Sequence, residues 1–303
     1  MIDLNPSPVE SVEAFGLRLF LKRDDLLHPD FSGNKARKFH YWLRREFPGV
    51  RRILSYGSVQ SNALYSLSVL ARMRGWELHY YVDHIPSWLG EHPVGNYKGA
   101  LENGTRFFVG EEIPLEIDDE TLRIEEGGRQ REAEEGIALL GEEIESWRRE
   151  RGIGRLTVFL PSGTGTTALY LQKYCTLRAP RISVATVPCV GGGDYLREQF
   201  GMLERERRFW PRILEPERRY HFGRLYREFW QIWLELYRQT GVEFDLLYDP
   251  LGWKILRQRR GELEGEILYL HQGGLRGNES MWMRYERIYG PQTIFSKARS
   301  TKR

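Results

Sequence analysis

The feature that most constrains this chain is the order of its apolar patterns. Short strand-like runs alternate with helix-period runs along most of the 303 residues, the signature of an α/β protein built on a mainly parallel sheet. "RLFLKRD" precedes a helix in "NKARKFHYWL", and "RRILSYG" precedes "NALYSLSVLARMRG", whose Leu64, Leu67 and Ala71 recur at helical spacing. "WELHYYVDHI", "VGNYKGALENG" and "TRFFVG" continue the period, and "RLTVFLPSG", "TTALYLQKYC", "RISVATVPCV", "GGGDYLREQF", "RLYREFWQIWLELYRQTG", "FDLLYDP", "LGWKILRQRRG", "EILYLHQGG" and "NESMWMRYERI" carry it to the C-terminal region. From Glu111 to about Gly136 it dissolves into an acidic, Gly-containing stretch, read as a surface excursion ahead of a charged helix that ends near Arg151. There is no repeat at solenoid period.

Composition limits what such a protein can do. Hydrophobic residues at 41% over this length supply a substantial core. Forty-five Lys and Arg against 42 Asp and Glu give a net charge of only +3, so nothing marks a nucleic-acid surface. The basic end "SKARSTKR" reads as a solvated tail. Cys175 and Cys189 are too few and too far apart for a disulfide framework or a metal site. With no apolar run long enough to span a bilayer, and acids and prolines where a signal peptide would be basic and then apolar, the expectation is a cytoplasmic protein that neither enters a membrane nor binds metal.

In open α/β sheets ligands lie beyond the carboxyl ends of the strands, which directs attention to "SGNK", "GSVQSN", "PSGTGTT" and "HQGG". Lys35 stands in the first turn of its helix, where a cation opposes the helix dipole. It is either part of a solvated cationic face or the partner of an anionic or electrophilic group. Gly163, Thr164, Gly165, Thr166 and Thr167 form a turn of small residues leading into a helix, either a capped turn or a phosphate cradle. They match neither a Walker loop nor a dinucleotide fingerprint, which disfavours ATP and NAD. An amine and a separate anion site together describe what pyridoxal 5′-phosphate requires.

In order and spacing, "LFLKRDDLLHPDFSGNKARK", "YGSVQSN", "PSGTGTT" and "FDLLYDP…ILYLHQGGL" resemble the pyridoxal-phosphate-dependent family of 1-aminocyclopropane-1-carboxylate deaminases and D-cysteine desulfhydrases, over nearly the whole chain. The resemblance implies a tryptophan-synthase-β-like fold (type II among pyridoxal-phosphate enzymes), two open, twisted, mainly parallel α/β domains with the cofactor between them. Residues 1–38 and 151–303 would form the larger cofactor domain and 39–150 the smaller inserted one, in a homodimer. It assigns Lys35 as the Schiff-base and proton-transfer lysine, Ser61 as a substrate-side hydroxyl and Asn62 as the partner of the cofactor's ring oxygen. Gln60, Tyr220, Tyr248, His271 and Gln272 are candidates for the substrate side. Ser61 and Asn62 are also suited to cap a helix, and the two tyrosines and His271 to an interior role.

One departure matters. The family places a glutamate, paired with the pyridine nitrogen, in a "DPVYEGKS"-like segment where this chain reads "DPLGWKIL" after Tyr248. On this reading the carboxylate is missing, and the weaker electron sink favours β-elimination over opening a cyclopropane ring. The expected activity is a lyase that releases ammonia and a 2-oxo acid from a small amino acid, D-cysteine first and 1-aminocyclopropane-1-carboxylate second. A protein that binds the cofactor or a phosphate metabolite without turnover is the alternative of another class.

Overall fold

The computed structural model describes residues 6–31 and 33–290. The basic terminal stretch and Ser32 of the "SGNK" turn lie outside the described residues.

Two sheets organise the chain. The six-stranded sheet runs in the order β1 (Val9–Ala14), β2 (Leu17–Arg23), β10 (Glu266–His271), β7 (Leu156–Ser162), β8 (Ile182–Pro188), β9 (Arg212–Ile213). It is parallel except for β1, which pairs antiparallel with β2. The four-stranded sheet runs β5 (Arg106–Val109), β4 (Glu77–Val82), β3 (Arg52–Tyr56), β6 (Thr121–Arg123), all parallel. β1 falls in the proline-bearing segment that the sequence reading left without structure. β6 falls inside the acidic excursion. "FDLLYDP" forms no strand: residues 246–248 are a turn that leads into a helix.

The helices follow the predicted alternation: α1 (Gly33–Arg44), α2 (Asn62–Arg74), α3 (Ser87–Glu91), α4 (Gly95–Glu102), α5 (Ala133–Glu150), α6 (Thr166–Arg178), α7 (Gly192–Leu203), α8 (Arg227–Thr240), α9 (Asp249–Arg259) and α10 (Asn278–Tyr289). Central strands are buried on both faces, so β7 is buried at every position, as a sheet covered on both sides requires. The apolar stripe of α8 packs inward: Trp230 stacks on Trp233 and on Tyr285, with ring centroids 5.3 and 5.0 Å apart. That stripe is core and offers no argument for a dimer.

α1 and α5 pack into different hydrophobic clusters. Phe39, Trp42 and Leu43 of α1 pack with the four-stranded sheet. Ile137, Leu140 and Ile144 of α5 pack with β7, β8 and α6 of the other. We propose that the smaller unit ends near residue 132, since α5 shares the larger unit's core.

Buried charges tie these layers together. Arg37 on α1 contacts Asp24 at 2.9 Å and Glu143 of α5 at 2.5 Å, and Lys22 of β2 reaches Glu143 at 2.6 Å. Burial raises the Asp24 carboxyl, but the charge and hydrogen bonds of Arg37 outweigh it and hold the pKa below the usual carboxylate value. The "KRDD" segment and the arginine two positions after Lys35 thus form a clamp on the lysine helix.

Candidate active site

A cavity of about 460 Å³ opens between the two sheets, at the carboxyl ends of β3, β7 and β10. Its walls are the four turns singled out in the sequence. Lys35, Gln60, Ser61, Asn62, Gly163, Thr164, Gly165, Thr166, Thr167, Tyr248 and Gln272 all line it.

Lys35 is placed there by a close backbone fit. Gly33 opens α1 at φ +67°, and a Cβ at that position would lie 1.9 Å from the carbonyl oxygen of Gln272. Only glycine lets α1 start against β10's turn. The Asn34 amide donates to the same carbonyl at 3.0 Å, and its side chain to Gln272 Oε1 at 3.1 Å. The Lys35 ammonium donates to the Gly127 carbonyl at 3.1 Å. Burial lowers its pKa to about 8, against the opposing charge of Glu126, which makes a free amine accessible near neutrality.

Across the cavity, β7 ends in the Gly163–Gly165 turn, with Gly165 at φ +71°, and α6 begins at Thr166. The first-turn N–H groups of a helix have no intrahelical acceptor and attract an anion. Thr167 Oγ1 is buried without a hydrogen-bond partner among the described residues, an expensive state for a hydroxyl unless a ligand completes it. Lys38, one turn after Lys35, also donates to Gly127 O, at 3.0 Å, and lies 3.5 Å from Thr164 Oγ1. Burial, and then the charge of Lys35, depress its pKa. The cradle therefore has N–H donors, an unsatisfied hydroxyl and an adjacent amine, a donor set that fits a phosphate.

Ser61 meets both of its readings. Its Oγ accepts from the Ala63 amide at 3.1 Å, capping α2, while the residue lines the cavity. Asn62 donates to Asp245 at 3.3 Å and accepts from Asn96 at 2.7 Å. Gln60 Oε1 accepts from Ser280 of α10 at 3.1 Å.

Two candidates fall outside the cavity wall. Tyr220 packs against Tyr226 and Phe229 and donates to Glu228 at 3.0 Å. His271 is fully buried on Phe244, with Nε2 at 2.8 Å from the Glu243 carbonyl and Nδ1 accepting from Gly273. The side chain that ends β10 points into the sheet's packing layer, and the next residue, Gln272, faces the cavity instead, as strand alternation dictates.

The missing carboxylate is also corrected. Asp245 and Asp249 both line the cavity. Asp249 accepts from Tyr269 at 2.6 Å and from the Asp245 amide at 2.9 Å. Burial raises Asp245 to about 6, and burial with the neighbouring charge of Asp245 raises Asp249 well above the normal range. In the family-like segment "DPVYEGKS" the glutamate follows the tyrosine, and here Asp249 follows Tyr248.

Glu126, Tyr195 and Arg284 line the cavity as well, unforeseen from the sequence. Glu126 belongs to the stretch read as a surface excursion. The left-handed Gly127 and Gly128, at φ +67° and +70°, turn it into the cleft, and the "GG" pair was the available signal. Among the described residues no cluster of His, Cys, Asp and Glu is arranged to hold a metal.

No family profile matches the chain. A protein of Thermotoga maritima described as a putative 1-aminocyclopropane-1-carboxylate deaminase is 33% identical over 79 residues, covering 24% of this chain and 25% of that protein. The match thus spans about a quarter of this curated relative. The crystal structure of a homologue of 1-aminocyclopropane-1-carboxylate deaminase superimposes with a TM-score of 0.75 at 20% identity, covering 93% of this chain and 94% of that one. A hydrogen sulfide-producing enzyme of Fusobacterium nucleatum gives 0.61 at 12% identity, over 90% and 97%. The chain has the tryptophan-synthase-β-like α/β fold, and the resemblance read from its motifs is borne out by relatives that bear the same family name.

Proposed function

We propose that the protein is a pyridoxal-phosphate-dependent lyase or deaminase that acts on a small amino acid and releases ammonia and a 2-oxo acid. The observation that carries the reading is the pairing, across one cavity, of a buried amine with pKa about 8 and a phosphate-type cradle with an orphaned hydroxyl.

The cofactor's phosphate would be held by the Gly163–Thr167 turn and Lys38, its ring oxygen by Asn62, and its ring nitrogen by Asp249 or Asp245. When bound, the group supplies an electron sink for negative charge at the substrate's α-carbon. Lys35 accepts the α-proton, for which its lowered basicity is suited. Ser61 and Gln60, which line the cavity, bind and orient the substrate.

The finer substrate follows from less. The argument for β-elimination over ring opening rested on an absent carboxylate, and the two aspartates remove it. D-cysteine and 1-aminocyclopropane-1-carboxylate both stand as proposed substrates, and the non-catalytic alternative has lost its motive. The named relatives, one a deaminase homologue and one a producer of hydrogen sulfide, support either. The test is 2-oxo acid release by cofactor-loaded protein from these two compounds, D-serine and chloro-D-alanine. Release from none of them would overturn the activity. We also propose a homodimer, which a monomer mass in light scattering at micromolar concentration would exclude. A cytoplasmic setting is supported by two buried, unpaired thiols. No helix among the described residues is long and apolar enough to cross a membrane.

A further inference from the structure

Behind the loop that carries Ser61 lies a tyrosine with an unspent hydroxyl. Tyr80 of β4 is fully buried, and its hydroxyl has no hydrogen-bond partner among the described residues. Phenylalanine would fill the same space without burying an unpaired polar group, so packing does not account for the oxygen. Tyr80 pairs with Ser55 across β4 and β3, and β3 runs on into the loop that ends at Ser61, the N-cap of α2. A Cβ at Gly57 would lie 3.0 Å from the phenol oxygen, so the hydroxyl sits against the backbone of that loop. Burial, and then the charge of Glu126, raise the Tyr80 pKa, and the Ser61 hydroxyl is the neighbour that pulls it back. The two hydroxyls are therefore close, just short of a formed hydrogen bond.

A serine hydroxyl has one proton to donate and two places to accept. On Ser61 one acceptor place is held by the Ala63 amide, at 3.1 Å. We propose that Tyr80 is a positioning residue for Ser61, donating its O–H to the second acceptor place when substrate binds. Both lone pairs of Ser61 are then engaged, and its own proton is the one free place left, directed to the cavity that Ser61 lines. Ser61 so held is a hydrogen-bond donor to an oxygen of the substrate's carboxylate, and it has no lone pair with which to act as a base. Removal of the α-proton is left to Lys35. This rests on the lyase reading above.

The experiment uses Tyr80→Phe, which removes one oxygen and keeps the ring, in the wild-type and Ser61→Ala backgrounds. Kd for each enantiomer of alanine is read from the change in cofactor absorbance of the holoprotein, and kcat and KM from 2-oxo acid release with D-cysteine. The expected result is a rise of about fivefold in Kd and in KM on Y80F substitution, the loss of one hydrogen bond, with kcat changed by less than about twofold. The melting temperature of the apoprotein should stay the same or rise. In the S61A background, Y80F should change Kd no further, because the two residues act through one contact. An unchanged Kd in Y80F overturns the proposal, and so does an equal rise in the S61A background. Ser55→Ala is the control: Ser55 Oγ is also buried without a partner among the described residues, and a rise in Kd as large as that of Y80F would make Ser55 the partner and sink the assignment. An absorbance that responds to no amino acid at all defeats the lyase reading, and this inference with it.

Discussion

Lys35 and Lys38, one helical turn apart, direct their ammonium nitrogens at a single acceptor, the Gly127 carbonyl oxygen, at 3.1 and 3.0 Å. Two amines at one point raise the question of which attaches the cofactor. Burial with Glu126 nearby leaves Lys35 close to neutrality, and Lys38 lies toward the phosphate cradle. Borohydride reduction of the holoprotein followed by peptide mapping should place the pyridoxyl group on Lys35 alone, and Lys35→Ala should abolish it while the fold persists. A pyridoxyl group on Lys38 would falsify the assignment.

Cofactor loading should depend on pH with a known sign. The reactive form is the free amine, so the rate of loading should climb roughly tenfold per pH unit well below the Lys35 pKa and level off above about 8. A rate unaffected on crossing that pH would show that another group limits attachment. The same shift makes the cofactor-free fold gain stability between about 8 and the ordinary 10.5, where the unfolded chain still holds the proton and the folded one does not.

Thr167→Ala separates binding from stability. Its hydroxyl has no partner among the described residues, so removing it should leave the melting temperature of the apoprotein unchanged or slightly higher. With phosphate bound the hydroxyl becomes a donor, and its loss should weaken cofactor affinity by about 1 kcal/mol, roughly fivefold. Equilibrium dialysis checks this, and an unchanged Kd would remove Thr167 from the cradle.

Arg37→Met should be among the most damaging substitutions outside the cavity. It strands Asp24, which is fully buried, and leaves Glu143 with Lys22 alone. Breaking a buried pair this way costs about 3–5 kcal/mol, measurable by urea denaturation. Because the Asp24 pKa is held below its usual 3.8, the wild-type contribution is present above that pH and is lost as pH falls through the lowered value. The gap between variant and wild type should therefore narrow in acid.

Much of this was legible from the chain. Alternating apolar periods gave the parallel α/β architecture, and turns after strands gave Lys35, Ser61, Asn62 and the Gly163–Thr167 loop, because glycine and small polar residues announce themselves locally. Glu126 did not, since a carboxylate in an acidic stretch reads as surface, and only the two left-handed glycines after it bring this exposed side chain to the cavity's rim. Tyr220 and His271 lie off the cavity wall for the opposite reason. Their position along the chain was right, but strand alternation and aromatic packing, which depend on distant partners, turned the side chains away. Asp249 was lost to a shift of register in comparing one segment.

The lysine helix itself is tied to both units. Its first turn is bonded to β10's turn through Asn34 and clamped by Arg37 to Asp24 and Glu143, while Phe39, Trp42 and Leu43 at its far end belong to the four-stranded unit. A rod anchored at both ends ties the two bodies together mechanically. Any displacement of the smaller unit against the larger is therefore transmitted through α1, whose first turn, with Lys35, is bonded to the larger unit.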